Sequence, residues 1–75
     1  MFNVSVMDHA QVIFEGKASS VILPGDYGEF EILDFHRPIL SLLKRGIIMI
    51  DGVSFPVAKG IARFHKNELV ALVEL

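Results

Sequence analysis

The sequence predicts an all-β domain, a small antiparallel β-sandwich of about eight to ten short strands. Three observations carry this expectation. Apolar and polar residues alternate at the two-residue period of a half-buried strand. Turn residues recur between the apolar runs at the close spacing of all-β folds. The composition, 52% hydrophobic and 21% charged over 75 residues, is too apolar for a disordered chain, and the length allows one domain, residues 1–75.

Phe2, Val4 and Val6 alternate with Asn3 and Ser5 in a first strand, and Asp8-His9 is a turn candidate. Val12-Ile13-Phe14 and Val21-Ile22-Leu23 are strand-like runs, with Glu15-Gly16 suggesting a bend or bulge between them. Pro24-Gly25-Asp26 is a turn signal, since proline pre-sets one dihedral and glycine accepts positive φ. Phe30 and Ile32 alternate with Glu29 and Glu31, which places both carboxylates on one strand face, about 7 Å apart. Asp34 to Pro38 reads as a loop, because the proline pushes Arg37 towards an extended state. Ile39 to Arg45 fits either a short helix or a strand. Ile47 to Ile50, then Asp51-Gly52, then Phe55 and Val57 form a hairpin pattern. Ile61 to Phe64 and Leu69 to Leu75 supply the last runs, with Lys66-Asn67 as their turn. Hairpin-like connections imply mainly antiparallel pairing. The expected core is Val4, Val6, Phe14, Val21, Leu23, Phe30, Ile32, Ile48, Ile50, Val57 and Leu72.

Few functions survive the composition. With no cysteine there is no disulfide, thiol nucleophile or thiolate metal site. His9, His36 and His65 lack ligand spacing, so no metal is expected. The serines sit in no nucleophile elbow, and the glycines form no phosphate loop. A net charge of −2 argues against general attraction to nucleic acid or anionic lipid. Every apolar run is shorter than the roughly 20 residues that span a bilayer. The N-terminus lacks a secretory pattern, so a cytoplasmic protein is the default. The residues by themselves describe a small β binding module.

One stretch is more specific. Val21-Ile22-Leu23-Pro24-Gly25 leads through Asp26-Tyr27 into Gly28-Glu29-Phe30-Glu31-Ile32. His36-Arg37-Pro38-Ile39-Leu40 follows, and Gly46 opens an apolar strand. In order and spacing this resembles the N-terminal β-sandwich of the epsilon subunit of F-type ATP synthase, called delta in mitochondria. The opening, with Phe14-Glu15-Gly16, and the end, with Asn67 to Leu72, are similar too, so the resemblance covers nearly the whole chain. Glu31, Asp34-Phe35, Arg37 and Ala58-Lys59-Gly60 depart from the family pattern.

The resemblance implies a non-catalytic rotor subunit of the central stalk that needs no cofactor. It would pack against the gamma subunit, stand on the polar loops of the c ring, and help couple proton or sodium ion transport to ATP synthesis. Its place would be peripheral, at the cytoplasmic face of the membrane, without insertion and without nucleic acid. Glu29 falls at the family's glutamate facing the c ring and His36 at its neighbouring histidine, so Glu29, with His36 and Arg37 at its margin, is the expected c-ring contact. For His36 a hydrogen bond to loop backbone is an equal expectation. Glu29 and the loop from Asp34 to Arg37 are expected to share one tip of the sandwich. Family members continue into a pair of helices; ending at Leu75, the sequence implies no inhibition by helix insertion and no ATP binding by the helical site. The alternative is a stand-alone sandwich that binds a peptide or small molecule, and a small enzyme is a third reading.

Overall fold

The computed structural model describes residues 1–75 and contains nine strands and no helix. These are β1 (Phe2–Met7), β2 (Val12–Ala18), β3 (Ser20–Gly25), β4 (Gly28–Leu33), β5 (Ile39–Leu43), β6 (Gly46–Ile50), β7 (Val53–Val57), β8 (Lys59–His65) and β9 (Glu68–Glu74). They form one curled sheet in the order β2-β1-β9-β8-β5-β3-β6-β7, with β4 on the free side of β3. The β5–β3 join is a single pair, Gly25 with Leu43. At that weak seam the sheet folds over into two layers, β2-β1-β9-β8-β5 and β4-β3-β6-β7.

The core lies between the layers. Phe2, Val4, Val6, Leu69, Ala71, Val73, Ala62 and Phe64 face inward from one layer, and Val21, Leu23, Ile32, Ile48, Ile50 and Val57 from the other. Phe2 and Phe64 meet edge to face with ring centroids 5.4 Å apart, the arrangement aromatic quadrupoles prefer. Of the expected core, Phe14 and Phe30 are half-buried against this cluster. Leu72 is a correction: it is 49% exposed. Once Leu69 points inward, the period of two sends Ala71 and Val73 inward and Leu72 outward.

Two hairpins follow their turn residues. Asp51 and Gly52 have φ of 46° and 87°, and Lys66 and Asn67 have φ of 50° and 59°, the double positive φ that suits the twist of two-residue hairpins. The ambiguous stretch from Ile39 is the strand β5, paired along its length with β8.

Two local expectations are corrected. Pro24 and Gly25 lie inside β3, and the turn is Asp26-Tyr27, closed by the pair Gly25 with Gly28. Pro24 is tolerated there because its nitrogen faces away from β4, on the side where its carbonyl accepts the Lys44 N–H at 2.9 Å, so the missing donor removes no bond from the β3–β4 ladder, while Gly28, at φ 129°, takes the unusual backbone. Glu15-Gly16 does not break its run: β2 continues to Ala18, and the bulge lies earlier in the same strand at Ile13, left without a partner where Val6 pairs with Phe14 and Met7 with Val12. The pairing is mainly antiparallel, as expected; the one parallel pair is β1 with β9, from Asn3 with Glu68 to Met7 with Leu72. A hairpin reading cannot anticipate a pair formed by the two ends of the chain.

Candidate partner-docking surfaces

Strand β4 fixes where the expected contact residues stand. Glu29 pairs with Pro24, next to the Asp26-Tyr27 turn, whereas Leu33 pairs with Ser20 at the other end. Five residues of strand separate Glu29 from Asp34, about 16 Å. The expected shared tip is therefore corrected: Glu29 lies at one end of the sandwich and the Asp34–Arg37 loop at the other.

The Glu29 end also holds the β5–β6 corner. Asp26 N–H donates to the Leu42 carbonyl at 3.0 Å, and Lys44 N–H to the Pro24 carbonyl. These two bonds bring the cations Lys44 and Arg45 beside the hairpin that carries Glu29. A Cβ on Gly46 would stand 2.6 Å from the Pro24 Cβ, so only glycine admits this close corner. Glu29 itself is exposed, as is Glu31 on the same outer face, whose carboxylate accepts the Ser20 hydroxyl at 2.6 Å.

The opposite end is a tied polar node. The Met1 ammonium donates to Asp34 Oδ2 at 2.5 Å, and Asn67 Nδ2 donates to Asp34 Oδ1 at 3.3 Å. Asn67 Oδ1 accepts the Phe35 N–H at 2.8 Å, which supports the positive φ of 60° at Phe35. The ammonium, first, holds the Asp34 carboxyl below its usual value; desolvation opposes this and the Asn67 amide adds to it. His36 belongs to the same loop. Its Nδ1–H donates to the Arg37 carbonyl at 2.7 Å, and its ring meets Phe64 edge-on with centroids 5.9 Å apart. The backbone bond expected for His36 is present. Arg37 is exposed.

Catalytic chemistry finds little to assemble. No three His, Cys, Asp or Glu side chains come together. The serine hydroxyls that bond within the chain go to Glu31 and to the Leu42 carbonyl, not to a histidine. A groove of about 660 Å³ opens at the Glu29 end, lined across the layer by Asp8 and His9 after β1, Leu72 and Glu74 of β9, Ile61 of β8, and Asp26 beside β5. It is broad, and its floor is apolar.

A surface absent from the sequence expectations is the outer face of β5, β8 and β9. Leu40 is 67% exposed, Leu42 58% and Ile61 37%, alongside the exposed Leu72. The signal was present in Leu69-Val70-Ala71-Leu72-Val73, which is apolar in both phases of the strand period. A run without alternation marks a strand covered on both faces.

Comparison with known proteins agrees with this architecture. The family model for the "ATP synthase, Delta/Epsilon chain, beta-sandwich domain" matches residues 1–74. The ATP synthase epsilon chain of a Nitratiruptor species is 43% identical, over 84% of this chain and 53% of that protein. The epsilon chain of Campylobacter fetus subsp. fetus is 34% identical over the same shares of the two chains. The chain thus spans about half the length of the curated relatives it matches. In fold it is similar to a chain of the Tetrahymena thermophila mitochondrial ATP synthase central stalk/c-ring structure, with a TM-score of 0.84 over 97% of this chain and 63% of that one, at 13% identity. With a family match that runs from the first strand through the last, the chain belongs to the ATP synthase delta/epsilon family, as its β-sandwich domain.

Proposed function

We propose that this chain is a non-catalytic rotor part of the ATP synthase central stalk, held between the gamma subunit and the c ring. The observation that carries the reading is the family match over residues 1–74. A curled nine-stranded sheet folded around one core suits such a part, because every strand from end to end packs on the same cluster. The chain has no helix long and apolar enough to cross a membrane. In this reading its contact with the c ring is peripheral, at the cytoplasmic face.

Glu29 is the proposed polar contact with the c-ring loops. It stands exposed beside a hairpin tip, with Asp26, Lys44 and Arg45 nearby to meet polar groups of either sign. His36 and Arg37, about 16 Å away along β4, belong to a separate surface in this reading.

The absence of native cysteine makes a direct test simple. Glu29→Cys in the assembled enzyme, paired with single cysteines in the c-subunit polar loop, is expected to form a disulfide-linked adduct on mild oxidation. Arg37→Cys is expected to give none. Adducts from Arg37→Cys alone would reverse the orientation, and adducts from neither would remove the c-ring contact.

A further inference from the structure

The outer face of the β5-β8-β9-β1 layer carries two cross-strand rows. Register aligns Leu42, Ile61, Leu72 and Met7 in one, and Leu40, Arg63, Val70 and Ser5 in the next. Each row crosses three strand spacings, about 14 Å, and the rows lie about 7 Å apart. Polar residues bound the face at both ends. Lys59 and Glu74 pair at 3.6 Å on one side, and His65 stands opposite Glu68 on the other.

Arg63 is the exception inside that boundary. It is exposed, makes no hydrogen bond or ion pair within the chain, and has Leu40 and Val70 as its cross-strand neighbours. With Leu40, Ile61, Val70 and Leu72 it lines a small hollow in which it is the one charged side chain.

We propose that this face docks a protein partner that presents a carboxylate within an apolar surface, and that Arg63 clamps the carboxylate. Resting on the stalk reading above, the inference takes that partner to be the gamma subunit. Covering the face removes Arg63 from water, and a desolvated guanidinium without an anion is strongly unfavourable. A carboxylate accepts two parallel N–H bonds from the guanidinium and fixes register as well as charge. The surrounding leucines, isoleucine and valine supply the apolar contact that excludes water around it. A second copy of the chain fits poorly, because a two-fold contact through this hollow would set Arg63 against Arg63. An anionic lipid surface also fits poorly, since such binding needs a cluster of cations and this face presents one.

The test measures binding of the chain to the gamma subunit of the same organism for wild type, Arg63→Gln, Arg63→Glu and Lys17→Glu. The last makes the same change of net charge on edge strand β2. All four are checked for matching melting temperatures. The expected result is binding about tenfold weaker for Arg63→Gln, about a hundredfold weaker for Arg63→Glu and within twofold for Lys17→Glu. In a scan of gamma Asp and Glu residues to Arg, one position is expected to restore Arg63→Glu at least tenfold. Wild-type affinity in both Arg63 variants would overturn the clamp and leave the stalk reading standing. Equal weakening by Lys17→Glu would overturn it too, reducing the effect to net charge. Failure of the wild type to bind gamma would remove the stalk reading together with the clamp. A wild-type homodimer in sedimentation that Arg63→Glu abolishes would overturn the proposal in favour of a second copy.

Discussion

Asp51 and Ser20 hold each other twice. The Asp51 carboxylate accepts the Ser20 N–H at 3.0 Å, and the Ser20 carbonyl accepts the Asp51 N–H at 3.0 Å. The same carboxylate takes the Ser19 N–H at 3.0 Å. The corner where the chain leaves one layer for the other, between β2 and β3, is thus pinned to the β6–β7 turn. Asp51 also holds a φ of 46°, which aspartate tolerates better than most residues.

Two substitutions separate these roles. Asp51→Gly keeps the backbone and loses the carboxylate bonds, which is expected to cost about 1–3 kcal/mol. Asp51→Ala also carries the left-handed penalty, about 1–2 kcal/mol more. Urea unfolding checks the order. Equal stabilities for the two variants would mean that the backbone strain is absent.

The direction of each β9 side chain gives a sharp contrast. Leu69 is fully buried and Leu72 is half exposed. Leu69→Ala is expected to cost about 2–5 kcal/mol and Leu72→Ala less than about 1 kcal/mol in the isolated chain. Denaturant midpoints of the two variants test the register; a reversed order would place β9 one residue out.

Gly60 is sealed by its neighbours. A Cβ there would lie 2.5 Å from the Leu72 carbonyl oxygen and 2.9 Å from Val73 Cγ1. Gly60→Ala must push β8 from β9, at an expected cost of about 1–3 kcal/mol. Thermal unfolding measures it, and an unchanged midpoint would show that the two strands lie further apart.

Asp34 predicts an acid dependence. Its carboxyl titrates below the usual 3.8 because the Met1 ammonium, and then the Asn67 amide, favour the charged form over the opposing desolvation. A depressed folded value means that its contribution is present above 3.8 and fades as pH falls through the lower folded value. Asp34→Asn is expected to melt lower than wild type at pH 7 and to converge with it near pH 2. Melting curves that stay parallel over that range would contradict the ion pair.

Strand content was readable because it rests on local pattern. Phe2 to Val6 alternate, and Asp51-Gly52 and Asn67 are residues that accept the left-handed backbone of tight turns. What local pattern leaves open is long-range. Pro24-Gly25 has strong local turn chemistry, yet the pairing of β3 with β4 extends past it to Gly28. Leu72 is as apolar as Leu69, and only register tells their faces apart. The β1–β9 pairing joins residues more than sixty positions apart, which no local rule specifies. The site followed the same division. Glu29 and His36 stand out by their motifs, and His36 has the loop bond expected of it. Their separation along β4 depends on where the strand begins and ends, which motif spacing does not encode. Arg63 is not legible as a contact in sequence, because a lone charge in a strand reads as solvated until its cross-strand neighbours are known.

The most direct measurement of the stalk role is stoichiometry in the assembled enzyme. Carrying an affinity tag, this chain should bring down the intact ATP synthase of its organism, with one copy of the chain per gamma subunit by quantitative mass spectrometry. Recovery of the chain free of gamma and c, under conditions where a tagged gamma retrieves the whole complex, would contradict it.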